Sequence, residues 1–198
     1  MKKLYLKKQN GFSLVEMLVS ISILLLVVTG PMTVTSRTAK SATFATEQVQ
    51  AFFLAQEGLE IAQKLRDDLL LINITAPGVA WTAFTNTTGT YIFCYSLTGC
   101  GLEWDSNDTL ALAAPADCLL TSGCKLRRDT RINPGRSLYT YKSPASSEIT
   151  PFSRKIYLTS TVDGRGVRVR SVVSWRTGSL VAEQKVEVET YLYNIYGS

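Results

Sequence analysis

Residues 11–28 read GFSLVEMLVSISILLLVV, and this stretch decides how the rest of the chain is organised. Glu16 is the only charged residue in it. An apolar run of this length, which continues more weakly to residue 34, is long enough to cross the hydrocarbon core of a membrane as a helix. A lone carboxylate near one end of such a helix is costly in hydrocarbon, so it calls for a partner and a purpose.

The residues ahead of this run set its orientation. They contain four basic residues and no acidic one: Lys2, Lys3, Lys7 and Lys8. Positive charge beside a first membrane helix keeps that end in the cytoplasm. We therefore predict a single crossing in contact with membrane lipid, with the N-terminus inside.

Two ordinary targeting segments are alternatives for this N-terminal region. A secretory signal peptide would have a small-residue cleavage site after its apolar run, and Thr29-Gly30-Pro31 is not such a site. A plain signal anchor explains the lysines and the apolar run, but it explains neither Gly11-Phe12 nor the carboxylate of Glu16. We therefore prefer a more specific interpretation.

The segment GFSLVE, from Gly11 to Glu16, resembles the processing site of type IV prepilins and pseudopilins. The resemblance covers roughly the first 35 residues. It implies cleavage between Gly11 and Phe12 by a membrane peptidase, N-methylation of Phe12, and Glu16 as the fifth residue of the mature chain. The fold it implies is α+β and pilin-like: a long N-terminal membrane-spanning α-helix packed against a C-terminal antiparallel β-sheet.

The same resemblance implies partners and a location. The partners are other pilin-like subunits, met through the N-terminal helix, the prepilin peptidase and an inner-membrane assembly platform. Glu16 of an incoming subunit would meet the N-terminal amine of Phe12 in a neighbour. The chain would begin as a single-pass protein of the cytoplasmic membrane and end in a filament, at the cell surface or in the periplasm.

The function we expect is that of a structural subunit of a type IV pilus-like filament. Within the family, the alternatives are a type II secretion pseudopilin and a minor tip pilin. From another class, the alternative is a membrane-anchored adhesin or DNA-binding module.

Charge and composition argue against several other functions. The formal charge is +5, but without the four leader lysines 17 basic residues face 16 acidic ones, so a nucleic-acid partner is not favoured. The sequence has no histidine, which excludes Ser–His and Cys–His nucleophiles. We predict no catalytic residues, no enzymatic activity and no cofactor.

Four cysteines form two matched pairs in the sequence. Five residues separate Cys94 from Cys100, and five separate Cys118 from Cys124. In an exported domain this pattern predicts two disulfides, with local pairing as our first choice among the three connectivities that four cysteines allow. The spacing is too long for a zinc knuckle and there is no histidine, so we predict no metal site.

We divide the chain into a leader at 1–11, a transmembrane part at 12–34, an amphipathic helical part at 35–72 and an extracytoplasmic head at 73–198. Gly30-Pro31 predicts a kink or a short melted segment, and the helix should end near Leu71. In its outer half, small and apolar residues recur at alternating spacings of four and three, which places them on one face. We expect this stripe to pack against the head's own sheet: Ala51, Ala55, Gly58, Ala62, Leu65, Leu69 and Ile72.

The middle of the head gives weaker patterns. Residues 79–84 and 90–96 are aromatic and β-branched, which predicts a hairpin. Loops are expected around the cysteines, with a short strand at 137–141. Five basic residues lie between positions 125 and 136, and we favour a solvated loop there over contact with an anionic polymer: Lys125, Arg127, Arg128, Arg131 and Arg136.

The clearest β pattern is an antiparallel sheet at 155–193. Strands are predicted at 155–161, 166–176 and 180–193, with two-residue turns at Asp163-Gly164 and Gly178-Ser179. This register places charges opposite charges on an outer face and valines together on an inner face that would cover the helix stripe. The predicted pairs are Arg170 with Glu187, Arg168 with Glu189, Val169 with Val188, and Ser171 with Val186.

The processing site generates the first testable prediction. Intact-mass analysis of the protein extracted from membranes should give a chain that begins at methylated Phe12. A mature chain that begins near Gly30 would instead identify an ordinary signal peptide.

Overall fold

The structure is a computed structural model that describes residues 11, 13–103, 116–119, 123–129, 139–142, 147–177 and 182–195. Helix α1 (Leu14–Ile72) is followed by helix α2 (Pro77–Thr85) and a 3₁₀ turn (Ile92–Tyr95). The described strands are β1 (Cys100–Gly101), β2 (Ala116–Asp117), β3 (Lys125–Asp129), β4 (Tyr139–Thr140), β5 (Ser147–Ser160), β6 (Gly166–Trp175) and β7 (Gln184–Tyr193). The chain divides into two units, Met1–Ala45 and Thr46–Ser198. The long N-terminal helix and the C-terminal antiparallel sheet are those of the predicted α+β fold.

Within the first unit, α1 continues through Gly30 and Pro31. The predicted melted segment is therefore wrong. Hydroxyl groups beside the proline bond to carbonyls of the same helix: Thr33 Oγ1 donates to the Gly30 oxygen and Thr35 Oγ1 to the Pro31 oxygen, both at 2.8 Å.

Within the second unit, one face of α1 is buried. Its buried residues are Ala51, Leu54, Ala55, Gly58, Ile61, Ala62, Leu65 and Asp68. The predicted stripe is confirmed from Ala51 to Leu65, and Leu69 packs at the margin of the core. Ile72 was assigned wrongly, because it is the last helical residue and remains 54% exposed.

The sheet supplies the other side of this core. Its strand order is β2-β1-β5-β3-β4, with β6 beside β5 and β7 beside β6. Residues of β6 alternate between buried and half-buried, which places Val167, Val169, Val173 and Trp175 on the inner face as predicted. The α1 backbone lies very close to this face, since a Cβ placed on Gly58 would be 2.4 Å from Ser171 Oγ. The predicted packing of the stripe against the head's own sheet is confirmed.

The register between β6 and β7 differs from the prediction by two residues. Arg170 lies opposite Glu189, Val169 opposite Thr190 and Ser171 opposite Val188, and regular pairing stops at Trp175 with Gln184. A slip of two keeps every side chain on its predicted face, because the side-chain period of a strand is two. The predicted two-residue turn at Gly178-Ser179 was wrong, because the pairing of β6 with β7 ends at Trp175 and Gln184. Residues 178–179 themselves lie outside the described residues.

The turn between β5 and β6 is centred where it was predicted, at Asp163-Gly164. The loop is wider than two residues, because the last backbone bonds join Thr161 to Gly166: the Thr161 N–H donates to the Gly166 oxygen at 2.8 Å. Gly164 has φ +67°, which favours glycine, and its N–H donates to the Thr161 oxygen at 3.0 Å.

The predicted hairpin at 79–84 and 90–96 is wrong. Residues 77–85 form helix α2 with Pro77 in the first turn, where its missing N–H costs nothing. Buried Ala80, Trp81 and Phe84 have helical rather than alternating spacing. Packing in the core therefore overrides the β propensity of this aromatic segment.

The predicted loop at residues 125–136 is wrong in its first part, because Lys125–Asp129 is strand β3 and pairs with β5. Inward-facing Leu126 is fully buried and holds this strand in the sheet. The short strand predicted at 137–141 is present as β4, and it pairs with β3.

The contact between Gly58 and Ser171 generates a stability prediction. Gly58→Ala should lower the free energy of unfolding by about 1–3 kcal/mol, because the new methyl group overpacks the helix against β6. Ser171 Oγ is buried without a hydrogen-bond partner, so Ser171→Ala should be nearly neutral. The double variant should recover most of the loss, since the closest atom is removed.

Urea unfolding of the full chain in detergent micelles measures all three variants. If the loss of unfolding free energy in the double variant equals the sum of the two single losses, the close approach of Gly58 to Ser171 is contradicted.

Candidate functional site

The N-terminal end of α1 is the first candidate site. The helix begins at Leu14, and the Met17 N–H donates to the Ser13 oxygen at 3.1 Å. Glu16 lies in the first turn and is exposed. An acidic residue in a first turn is favoured by the partial positive charge of the helix N-terminus. No ion pair involves Glu16 within the described residues.

The apolar side chains that follow Glu16 are uncovered. From Leu14 to Val34 the large apolar residues are between 47% and 76% exposed. Within the described residues, α1 is the one helix that is long enough and apolar enough to cross a membrane. A buried core helix passes the same test of composition, but its apolar residues would be covered, and here none of the qualifying window is buried.

Two hydroxyl groups of this apolar segment bond to carbonyls of the same helix. Ser22 Oγ donates to the Leu18 oxygen at 2.8 Å, and Thr29 Oγ1 donates to the Leu25 oxygen at 2.9 Å. Polar groups without a partner are costly in hydrocarbon. The segment can therefore enter a membrane with Glu16 as its only charged side chain.

Gly11 immediately precedes the predicted cleavage point. A Cβ placed on Gly11 would have no described atom within 4 Å. Phe12, the predicted methylation site, lies outside the described residues.

Each of the four cysteines is in a local disulfide in this structure, Cys94 with Cys100 and Cys118 with Cys124. The first disulfide belongs to the core cluster that also contains Trp81 and Phe84 of α2. The second is tied to β5, because the Arg154 N–H donates to the Cys124 oxygen at 3.0 Å. Both disulfides therefore close short loops beside the sheet.

A buried arginine joins several elements of the head. The Arg154 side chain is fully buried on the inner face of β5. Its Nη1 donates to Glu57 Oε2 at 2.9 Å and to the Leu54 oxygen of α1 at 3.2 Å. Its Nη2 donates to the Leu102 oxygen at 3.2 Å, and Nε donates to the Tyr141 hydroxyl at 2.9 Å. One guanidinium thus connects α1, the segment after β1 and the segment after β4.

Electrostatics support this cluster of buried groups. Burial alone would lower the pKa of Arg154, but Tyr141 and Glu57 outweigh it and hold the pKa above its ordinary value. Burial raises the pKa of Tyr141, with Arg154 opposing the rise. Glu103 closes the cluster by accepting from Thr140 Oγ1 at 2.7 Å and from the Tyr141 N–H at 2.8 Å. Removing one member would leave buried polar groups without partners.

The predicted basic segment does not form one patch within the described residues. Arg128 on β3 is ion-paired with Glu148 of β5, and Arg127 Nη1 is 3.5 Å from Ser147 Oγ. Lys125 is exposed at the start of the strand. Arg131 and Arg136 lie outside the described residues.

The sequence patterns described above identified neither Arg154 nor Tyr141. One signal could have found Arg154: in the alternation of Phe152, Arg154, Ile156 and Leu158, the arginine has the phase of the buried residues. A charge at an inward position of a strand calls for buried partners. Tyr141 lies outside any long strand, so the sequence has no comparable signal for it.

Comparisons with known proteins agree with the N-terminal features. Residues 6–30 match the family model described as the prokaryotic N-terminal methylation motif, the signature of type IV prepilins and pseudopilins. No curated protein and no solved structure matches the chain. The match therefore concerns the residues just ahead of α1 and the first turns of this helix.

The buried cluster predicts a pH-dependent effect of Tyr141→Phe. At neutral pH this change should lower the free energy of unfolding by about 1–3 kcal/mol, because Arg154 Nε loses its acceptor. The pKa of native Tyr141 lies above the ordinary value of 10.0, so its contribution is complete below that pH and declines as pH rises. The difference between wild type and variant should therefore shrink above pH 10.

Urea unfolding of the full chain in detergent micelles, followed at several pH values, measures this difference. Tyr191→Phe on β7 is the matched control, because Tyr191 is exposed and the loss of its hydroxyl should change the free energy of unfolding little. If the difference in the free energy of unfolding between wild type and Tyr141→Phe stays constant or widens above pH 10, the buried environment assigned to Tyr141 is contradicted.

Proposed function

We propose that this chain is a structural subunit of a type IV pilus-like filament, processed after Gly11 and polymerised through its N-terminal helix. The methylation motif supports a type IV pilin-like or pseudopilin family, which is a structural family rather than a family of enzymes. One observation carries the proposal: the motif leads directly into a helix whose apolar side chains are uncovered and whose first turn holds a lone carboxylate.

The uncovered apolar segment explains two stages of the proposed life cycle. Before assembly, lipid covers it, since its length matches a hydrocarbon core. After assembly, the helices of neighbouring subunits replace the lipid. Apolar surface need not meet water at either stage, so the subunit can leave the membrane only into a bundle of similar helices.

Gly11 supports processing because no described residue would meet a side chain at this position. The requirement for glycine then belongs to the enzyme that cuts beside it, a prepilin peptidase. The new N-terminus at Phe12 would carry the methylated amine.

Glu16 supports an assembly step. An unpaired carboxylate among bundled apolar helices is costly, while one paired with an amine is tolerated. The amine of Phe12 in a neighbouring subunit is the partner that the motif supplies. Pairing across subunits would fix how far one helix is displaced along the filament from the next.

The head would be displayed outside the cytoplasmic membrane, where its cysteines can remain oxidised. The same N-terminal segment would serve a secretion pseudopilin or a minor tip pilin. The abundance of this chain in sheared filaments separates those functions from that of a major subunit.

Glu16→Ala tests the assembly role. The variant should be cleaved and inserted into the membrane normally, but should be absent from filaments sheared off the cell surface. Immunoblots of the sheared and membrane fractions measure its distribution. Glu16→Gln tests whether the charge itself is needed, and it should behave as Glu16→Ala does.

Glu60→Ala is the matched control, because Glu60 is an exposed acidic residue farther along the same helix. It should enter filaments at the wild-type level. Wild-type incorporation of Glu16→Ala protein would show that the carboxylate does not pair during assembly.

A further inference from the structure

The outer face of the sheet carries tyrosines and arginines on three adjacent strands. We call Tyr157, Arg168, Arg170, Tyr191 and Tyr193 the tyrosine–arginine face. Tyr157 of β5 lies opposite Arg170 of β6, and Arg168 of β6 lies opposite Tyr191 of β7. Side chains opposite each other in an antiparallel pair share one face. Tyr191 and Tyr193 are 46% and 52% exposed, so ring surface on this face is open to solvent.

Two of these rings lie against glycines. A Cβ placed on Gly166 would be 3.1 Å from Cδ1 and Cε1 of Tyr193, and one placed on Gly99 would be 2.9 Å from Cε1 of Tyr157. No side chain rises from these glycines between the ring and the backbone, so both rings lie low on the sheet.

The two arginines of this face differ in their partners. The Arg170 guanidinium lies 4.6 Å from the centre of the Tyr157 ring and forms an ion pair with Glu187 at 3.3 Å. Arg168 is half-buried beside Tyr191, and within the described residues its side chain has no hydrogen bond and no ion pair. Two carboxylates share this face: Glu187 is paired with Arg170, and Glu189 lies opposite Arg170. Because neither forms an ion pair with Arg168 within the described residues, the Arg168 guanidinium is suited to bind an anion that the chain itself does not provide.

We propose that the tyrosine–arginine face binds single-stranded nucleic acid. Exposed tyrosine rings provide planes on which unpaired bases stack, and the Arg168 guanidinium is placed to contact a phosphate between them. The partner must have both unpaired bases and phosphates, because this face combines exposed tyrosine rings with an arginine that has no ion pair within the described residues. Duplex DNA fits less well, since its bases are already stacked inside the helix and only its phosphates are available.

This surface is separate from the basic segment on β3. There, Arg128 is already paired with Glu148. The residue opposite Arg128 on β4 is the half-exposed Tyr139. Arg128 therefore provides a matched control: its loss removes the same charge as the loss of Arg168, from a different part of the sheet. The inference does not depend on the proposed filament, because the head could bind nucleic acid with or without assembly.

The test is a fluorescence anisotropy titration of the full chain in detergent micelles with a labelled oligothymidylate. We expect salt-dependent binding. Tyr191→Ala should weaken binding by roughly five- to a hundredfold, the range for loss of one stacked base. Arg168→Ala should weaken binding and make the slope of log K against log salt shallower by about 0.7, as expected for one phosphate contact to a single strand.

Several controls make the result decisive. Arg128→Ala should bind like wild type, and melting curves should show that each variant is folded. The leader lysines are common to all variants, so their contribution cancels in the comparison. A duplex of the same sequence and the anionic polysaccharide alginate, which has no bases, should compete poorly with the oligothymidylate.

Three results would overturn the proposal. The first is no binding of the oligothymidylate even at low salt. The second is equal weakening by Arg128→Ala and Arg168→Ala, which would indicate diffuse charge attraction. The third is equally effective competition by alginate or duplex DNA, which would assign the face to anionic polymers without base stacking.

Discussion

The uncovered apolar side chains of α1 between Leu14 and Val34 must be kept from water, and the chain's own described residues do not cover them. Lipid can cover them, as can other helices of the same kind. Glu16 complicates both solutions, because a carboxylate without a partner is costly in either surrounding. An anchored subunit that exchanges lipid for neighbouring helices, and pairs its carboxylate as it does so, satisfies these requirements together.

The second unit depends on a different contact, the close approach of α1 to the inner face of β6. Gly58 allows this approach because any side chain there would meet Ser171. Arg154 then joins the helix to two irregular segments through a fully buried guanidinium. Burying this charge is tolerated because every nitrogen of the guanidinium has an acceptor. Removing one acceptor would leave a buried donor without a partner, so the position of these segments is sensitive to single substitutions.

Much of this architecture is predictable from the sequence because it rests on periodicity. The spacing of small residues identifies the buried face of α1, and alternation identifies the inner face of β6. The register of β7 was wrong by two residues because it depended on a turn assumed at Gly178-Ser179, while the faces remained correct. Helix α2 was missed because core contacts of Trp81 and Phe84 outweigh local propensity. Arg154 can be recognised in the sequence because it occupies an inward position in the alternation of β5. Tyr141 and the tyrosine–arginine face depend on tertiary contacts.

We propose that subunits join through Glu16 and the amine of Phe12 in a neighbour. It can be tested most directly in filaments assembled from a mixture of unlabelled and ¹⁵N-labelled subunits. A carbodiimide would join the Glu16 carboxyl group to the N-terminal amine wherever the two are in contact, and mass spectrometry would identify the linked peptides. Pairing between subunits predicts linked peptides in which one partner is labelled and the other is not. Linked peptides that always carry the same label in both partners would contradict it.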